Sequence, residues 1–413
     1  MNQADTSPSQ RLSPQAWSAH GPVALVYSPH AGSARGDHPQ TLLERAGVEV
    51  AFSVAVDALD VQPPLGQRWR AAGCVAAIAA GGDGTVGAVA THAISADLPL
   101  GVLPLGTAND IARALGVPLA PADAARVIAQ GALQPIDAGQ VIPSQTEPYA
   151  AAQEASPSQA LLDAALADAS PDQIAQGSAF FLHALTLGLN VEFARLATDV
   201  TQRRLWGRLT YVASAIESLE RFKPIPVTLR FIGMSGAPEQ SVFVVQSQTA
   251  LVAAINLPVF GGRLGLRVPG IRADDRLLDF IVIEAPEPGS ARTAVEASLG
   301  ALTRAAQALW APPGAADAGV DAGTNAGTNA TASDSMRRHP VQNPAGVTLP
   351  GARWFRARAV EIETAQPVEL TLDGELRGRT PAVARVAPKA IQMIVPARPP
   401  ATPPATPPAT RQG

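Results

Sequence analysis

The chain has 413 residues, 46% hydrophobic and 16% charged, which is enough for two domains with apolar cores. Its net charge of −4 gives no electrostatic basis for nucleic-acid binding, and one cysteine excludes disulfides within the chain and thiolate metal centres. Residues 1–20 have no apolar core, and no run of about eighteen apolar residues occurs, so neither a signal peptide nor a transmembrane helix is expected. The composition favours a cytoplasmic protein whose contact with a membrane is peripheral.

The first predicted element is a buried strand over residues 22–27, which ends in a glycine turn at 28–33. A second strand is predicted over 48–56. The next two units each have the order strand, turn, helix: an apolar run at 75–80 precedes GGDGT at 81–85, and another at 98–105 precedes GTAND at 106–110. Such successive units place their turns at one edge of a parallel sheet, where open α/β sheets bind ligands.

The residues of these turns indicate phosphate binding. Glycines let the backbone approach a ligand, and a helix N-terminus favours an anion. Asp83 would repel phosphates unless a divalent cation lay between them, which favours a Mg-nucleotide, and Thr85 and Thr107 add hydroxyl donors. The alternative is two tight turns whose glycines only satisfy backbone geometry.

The remaining chain alternates predicted structure with low-complexity sequence. Separate strands are predicted at 227–231, 241–246, 250–255 and 277–284. His183 is interpreted as a core histidine rather than a catalytic one. A basic amphipathic helix at 201–222 could lie on anionic lipid or pack on its own sheet. The other predicted segments are a helix at 119–134, an insertion at 144–177, a helix at 288–310, a linker at 312–350, strands at 356–363, 368–372 and 390–395, and a Pro-rich tail at 398–413.

Acidic residues near the end of the chain form two patterns. Alternation of polar and apolar residues predicts that Glu361 and Glu363 lie on the solvent face of a strand. Asp373-Gly374-Glu375 follows a strand, where two carboxylates could reach a shared cleft, and Asp-Gly also signals a type I′ hairpin turn.

Three motifs in order resemble the diacylglycerol kinase catalytic family, which includes bacterial lipid kinases and sphingosine kinases: GGDGT at 81–85, PLGTAND at 104–110 and LDGE at 372–375. NAD kinases and phosphofructokinases share only the first motif. The resemblance covers about residues 22–397 and implies an α/β N-terminal domain with a parallel sheet, NAD kinase/phosphofructokinase-like, and a β-sandwich domain. The resemblance also implies that the last strand of the chain returns to the first domain. The implied division is an unstructured 1–20, a nucleotide-binding domain at 21–137 with 380–397, a lipid-substrate domain at 138–379 and an unstructured 398–413.

The resemblance implies transfer of the γ-phosphoryl group of ATP, with Mg²⁺, to a hydroxyl of diacylglycerol or a related lipid at a membrane surface. Asp83 and Glu375 are the implied catalytic residues, Glu375 as the base that takes the hydroxyl proton. The turn at Ser28 would complete the ATP site. The implied nucleotide-binding residues are Gly81, Gly82, Asp83, Gly84, Thr85, Gly106, Thr107, Asn109 and Asp110.

A second cation site is implied by residues 269–279, which resemble a loop that holds a structural Mg²⁺ in bacterial members of the family. By position, the ligands are the carboxylate of Asp275 and the backbone carbonyls of Arg272 and Leu277. Arg276 stands where the family has glycine. The alternative is an Asp-rich turn without metal.

Two departures from the family's pattern leave other functions open. Ser28 replaces an asparagine, and Val86-Gly87-Ala88 replaces the x-Asn-Glu that usually follows GGDGT. These changes motivate the alternative of a nucleotide- or lipid-binding regulator without turnover. A further alternative is an NAD-kinase-like enzyme that phosphorylates a soluble substrate.

Overall fold

The computed structural model describes residues 15–29, 37–59, 65–143, 179–188, 224–238, 241–260, 266–268, 270–284 and 352–397. The interpretations of residues 144–177, 201–222, 288–310, 312–350 and 398–413 lie outside these ranges. Regular structure begins earlier than we expected, because Gln15–Ala16 (β1) pairs with a later strand. Burial explains the difference, because Trp17 packs against the hydrophobic core of the N-terminal part, and its Nε1 donates to the carbonyl of Ile128 at 2.8 Å.

The N-terminal part is a parallel sheet in the order β3-β2-β4-β5. Every residue of β4 and β5 is buried, as expected for parallel strands that are covered on both faces. The strands are β2 (Val23–Tyr27), β3 (Val50–Ala55), β4 (Ala76–Gly81) and β5 (Leu100–Pro104). The helices are α1 (Pro39–Arg45), α2 (Leu65–Ala71), α3 (Asp83–Ser95), α4 (Asp110–Ala114) and α5 (Pro121–Ala129). A short 3₁₀ turn follows β3 at Val56–Ala58.

The second part is antiparallel and is entered through the long strand β6 (Ala132–Pro143). Its strands are β7 (Ala179–Phe181), β8 (Ala184–Gly188), β9 (Ile225–Met234), β10 (Val242–Ile255), β13 (Leu278–Glu284), β14 (Ala352–Thr364), β15 (Glu369–Leu372) and β16 (Glu375–Arg379). A separate small hairpin consists of β11 (Val259–Phe260) and β12 (Leu266–Arg267). Strands β10 and β14 each pair with β13 along one half and with β9 along the other, so they pass between the two layers of a sandwich.

The last strand, β17 (Ala382–Val395), joins the two parts. Its first half pairs with β14, whereas Met393 pairs in parallel with Leu100 of β5. Along nearly its whole length β17 also pairs with β6. The predicted fold class, including the return of the C-terminal strand to the first domain, is confirmed.

The prediction that Glu361 and Glu363 face solvent is wrong. Their exposed fractions are 1% and 5%, and both carboxylates lie within ion-pair distance of Arg230 Nη1 on β9, at 3.2 and 2.8 Å. Alternation along β14 identifies the two faces correctly, but both faces are covered here. The guanidinium supplies the charge that buried carboxylates require.

Candidate active site

The two glycine turns after β4 and β5 are in direct backbone contact. The carbonyl oxygen of Gly81 accepts hydrogen bonds from the N–H groups of Leu105 and Gly106, at 2.9 and 3.2 Å. A Cβ atom added to Gly106 would lie 2.4 Å from the Cα atom of Gly82. Only glycine permits this approach, so the turns form one continuous backbone surface at the sheet edge.

The N-termini of α3 and α4 are tied together by Asp83. This residue opens α3, and its Oδ1 accepts a hydrogen bond from the N–H of Ile111 in the first turn of α4, at 2.8 Å. Asn109 holds the second turn closed from a left-handed backbone conformation with φ 52°. Its side-chain amide donates to the carbonyl of Gly106 at 2.9 Å and accepts from the N–H of Gly106 at 3.0 Å.

The other predicted nucleotide-binding residues surround these contacts. Thr85 is buried with its side chain against Gly81, Asp110 is buried in α4, and Thr107 is exposed. The first predicted turn adjoins them, because the N–H of Ser28 donates to the carbonyl of Ala80 at 2.9 Å. Residues 30–33 of that turn lie outside the described part of the chain.

The hairpin between β15 and β16 brings Glu375 to this edge from the second domain. A Cβ atom added to Gly84 would lie 2.5 Å from Oε1 of Glu375, so the carboxyl group rests against the first turn of α3. Glu375 is exposed. The geometry therefore unites the GGDGT and LDGE motifs, which are far apart in the chain.

Asp373 has a different environment from Glu375, and the expectation that both carboxylates reach a shared cleft is wrong. Asp373 is buried, its Oδ1 accepting from the N–H groups of His183 and Ala184 at 2.8 and 3.1 Å and its Oδ2 from that of Leu182 at 2.9 Å. Burial raises the pKa of Asp373, although the three N–H groups act to lower it. With φ values of 50° and 87°, Asp373 and Gly374 form the left-handed pair of a type I′ turn.

Gly87 provides the space for Asp373. A Cβ atom at Gly87 would lie 2.4 Å from Oδ2 of Asp373. This glycine stands in the x-Asn-Glu segment that departs from the family's pattern. The departure thus has a structural counterpart, since a carboxylate from the LDGE hairpin occupies the volume beside the helix.

The loop at 270–277 is anchored on Asp137 of β6. Oδ2 of Asp137 accepts from the N–H of Arg276 and Oδ1 from that of Lys389, both at 2.8 Å. Burial raises the pKa of Asp137, and these two N–H groups act in the opposite direction. Arg276 has a φ of 63°, so its backbone keeps the left-handed conformation that a glycine would adopt freely.

The carboxylate of Asp275 has a cationic partner within the chain. Its Oδ1 accepts from the N–H of Leu277 at 3.2 Å, and its Oδ2 is paired with the guanidinium of Arg356. Arg272 pairs through its side chain with Asp274, at 2.9 and 3.1 Å. The donor set that the resemblance implies for Mg²⁺ therefore meets a guanidinium on its only carboxylate, and two cations on one carboxylate repel each other. Within the described residues, no group of three or more His, Cys, Asp or Glu side chains could hold a metal ion.

Sequence reasoning missed three residues at these sites: Asp137, Gly87 and Arg356. Asp137 stood at the predicted end of the nucleotide-binding domain and was given no role there. The second was noted as a departure from a pattern, without a partner. For Arg356 the available signal was weak, a basic residue at a predicted strand start, because its partners depend on strand register.

Comparison with known proteins agrees with this arrangement. Residues 22–141 match the profile of the diacylglycerol kinase catalytic domain, and residues 184–300 match that of the YegS C-terminal NAD kinase beta sandwich-like domain. A "Probable lipid kinase YegS-like" protein of Pseudomonas fluorescens is 49% identical over 81 residues, which are 19% of this chain and 27% of that protein. A diacylglycerol kinase of Mycobacterium tuberculosis is 36% identical over 115 residues, which are 28% of this chain and 34% of that protein. The matched segments therefore span only about a third of these curated relatives.

The fold extends the similarity beyond these segments. The crystal structure of a candidate diacylglycerol kinase from Bacillus anthracis superposes with a TM-score of 0.55 at 19% identity, covering 91% of this chain and 95% of that one. Fold and site together define a two-domain protein in which glycine turns on a parallel sheet meet a carboxylate from a β sandwich. Residues 22–141 are thus a diacylglycerol kinase catalytic domain, and residues 184–300 are a YegS C-terminal NAD kinase beta sandwich-like domain.

Proposed function

We propose that this protein is an ATP-dependent lipid kinase, which transfers the γ-phosphoryl group of Mg-ATP to a hydroxyl of diacylglycerol or a related lipid. The observation that carries the proposal is the contact between Glu375 and Gly84, which joins an exposed carboxylate to the glycine turn at the start of α3. A phosphoryl-transfer site needs a phosphate-binding backbone and a proton acceptor next to each other. The match of residues 22–141 to the diacylglycerol kinase catalytic domain and the relatives' names support the same reaction.

The glycine turns are suited to the phosphate groups of ATP. Side chains are absent where Gly82 and Gly106 touch, so the backbone can approach phosphate oxygens closely, and the N–H groups of the first turn of α3 are aimed beyond the helix end. Asp83 is the acidic residue of that first turn and is the residue we assign to the nucleotide's cation. A Mg²⁺ ion bound with the phosphates would supply positive charge to the transferring group.

Glu375 is assigned as the base. The lipid hydroxyl oxygen attacks the γ-phosphorus, the bond to the ADP oxygen breaks, and the hydroxyl proton passes to the Glu375 carboxylate. The exposure of Glu375 leaves room for a hydroxyl group beside it. Among the helices that the structure describes, none has the length and apolar content to cross a bilayer, and we propose that the lipid is reached from a membrane surface.

Release of ADP from Mg-ATP tests this function, with mixed micelles of diacylglycerol, phosphatidylglycerol or a sphingoid base as acceptors. We expect one lipid to drive ADP release and Glu375→Gln to lower the rate by a factor of about 10²–10⁴, because the proton acceptor is lost. Asp83→Asn should also lower the rate. Glu369→Gln is the matched control, since Glu369 lies on the same hairpin and pairs with Arg379 at 3.3 Å, and its rate should equal that of the wild type.

Three other outcomes would contradict the proposal in whole or in part. Turnover of NAD in place of lipid would identify an NAD-kinase-like enzyme. ATP binding that Asp83→Asn weakens, without turnover of any acceptor, would identify a regulator. Equal rates of ADP release for Glu375→Gln and Glu369→Gln would show that Glu375 is not the base.

A further inference from the structure

Arg356 lies between two carboxylates of the second domain, those of the half-buried Asp275 and the buried Asp279. In the register of β13 and β14, Arg356 is directly opposite Asp279, and its Nε lies 3.1 Å from Oδ1 of that residue. The same guanidinium is paired with Oδ2 of Asp275. The side chains of Arg356 and Asp275 are 16% and 19% exposed, and that of Asp279 is fully buried.

Two carboxylates in such an environment require a compensating charge. An uncompensated buried carboxylate is strongly unfavourable, and a planar guanidinium can serve two carboxylates because it presents N–H groups on several sides. Trp354, two residues before Arg356 on β14, donates its Nε1–H to Oδ1 of Asp279 at 2.9 Å. The chain itself therefore supplies the cation and a further hydrogen-bond donor.

The carboxylates around the loop that leads into β13 also have partners within the chain. Backbone N–H groups fix it at two points, from Arg276 to Asp137 and from Leu277 to Asp275. The guanidinium of Arg272 closes on the Asp274 carboxylate within the loop. The described contacts thus satisfy the loop's carboxylates with donors of the protein.

We infer that Arg356 takes the place of a structural metal ion in this protein. Its guanidinium pairs with both Asp275 and Asp279 and supplies the positive charge that the family resemblance assigns to Mg²⁺ at Asp275. Unlike a metal ion, the guanidinium is fixed to β14 and cannot be removed by a chelator. This inference concerns the stability of the second domain and does not depend on the proposed reaction.

Thermal unfolding of the whole protein without nucleotide tests the inference. We expect the same unfolding temperature in EDTA and in excess Mg²⁺, because no metal ion contributes to the fold. A lower unfolding temperature in EDTA that Mg²⁺ restores would overturn the inference. This comparison needs no variant, so it stands even if substitutions at Arg356 prevent folding.

Arg356→Met provides the complementary test, since it removes the guanidinium and leaves both carboxylates in place. We expect the unfolding temperature in EDTA to fall by roughly 5 °C or more, and Mg²⁺ or Mn²⁺ to recover part of this loss by binding at the vacated carboxylates. Arg353→Met is the matched control on the same strand, because Arg353 pairs at 2.8 Å with Glu284, whose side chain is 52% exposed. The control should show a small loss and no response to metal. Absence of a metal response in Arg356→Met would contradict the claim that a guanidinium stands where a metal ion could bind.

Discussion

Gly84 and Gly87 are three residues apart on α3, and each adjoins a carboxylate of the LDGE hairpin. The two carboxylates differ in freedom. Glu375, beside Gly84, is exposed and its carboxyl group ends a flexible side chain, whereas Asp373, beside Gly87, is fixed by three backbone N–H groups. A methyl group added at the two positions should therefore have different consequences.

We expect Gly84→Ala to change stability little, because Glu375 can rotate away and alanine favours the helix by about 1 kcal/mol over glycine. The displaced carboxylate should nevertheless lower the rate of ADP release. Gly87→Ala should destabilise the protein by about 1–3 kcal/mol, because Asp373 cannot move without losing its hydrogen bonds. Urea unfolding and the ADP assay on the two variants measure both effects. A larger loss of stability for Gly84→Ala than for Gly87→Ala would contradict this view of the hairpin.

Three elements meet at Asp137: β6, the loop before β13 and the irregularity in β17 between Ala387 and Ile391. Asp137 accepts hydrogen bonds from the N–H groups of Arg276 and Lys389. Both residues have left-handed backbones, with φ values of 63° and 50°. Non-glycine residues adopt this conformation at some cost. The carboxylate offsets that cost by pairing both N–H groups.

We expect Asp137→Ala to lower the free energy of unfolding by about 2–4 kcal/mol, because it leaves two N–H groups without their acceptor. Asp123→Ala is the control, since Asp123 lies on the surface of α5 and pairs with an exposed Arg126. Its effect should stay within about 0.5 kcal/mol. Urea unfolding of both variants provides the comparison, and equal losses would remove Asp137 from its role as a junction.

Local sequence patterns predicted some of these elements and could not predict others. The glycine turns were placed correctly because apolar runs, glycines and helical spacing are adjacent in the chain, and parallel strands bring successive turns to one edge. Residues 241–246 and 250–255, predicted as separate strands, form the single strand β10 with an irregularity between Thr249 and Leu251. Contacts such as Asp137 with Lys389 join residues 252 positions apart. Strand register decides these contacts, and no local pattern encodes it.

At the scale of the molecule, β17 contributes to both hydrophobic cores. Ala382, Ala384 and Val386 lie in the core of the sandwich, whereas Ile391, Met393 and Ile394 lie in that of the parallel sheet. One strand thus carries apolar side chains for two domains. Unfolding of either core should therefore destabilise the other.

We expect the two domains to unfold in one transition. Met393 is fully buried, and Met393→Ala should cost about 2–5 kcal/mol. Variants that retain only Trp69, in the first core, or only Trp354, in the second domain, report each part by fluorescence. Coincident urea midpoints, shifted together by Met393→Ala, are the expected result. Separate midpoints would mean that the shared strand does not couple the domains.

The position of β17 also has a consequence for synthesis on the ribosome. When β5 leaves the exit tunnel, its neighbour β4 has been translated, but β17, which pairs with the opposite edge of β5 through Met393 and Leu100, has not. The N-terminal domain therefore cannot complete its sheet as the first domain of a nascent chain usually does. Until residues 382–395 emerge, that edge of β5 lacks its native partner, and a nascent chain stalled before them should need a chaperone to stay free of aggregation.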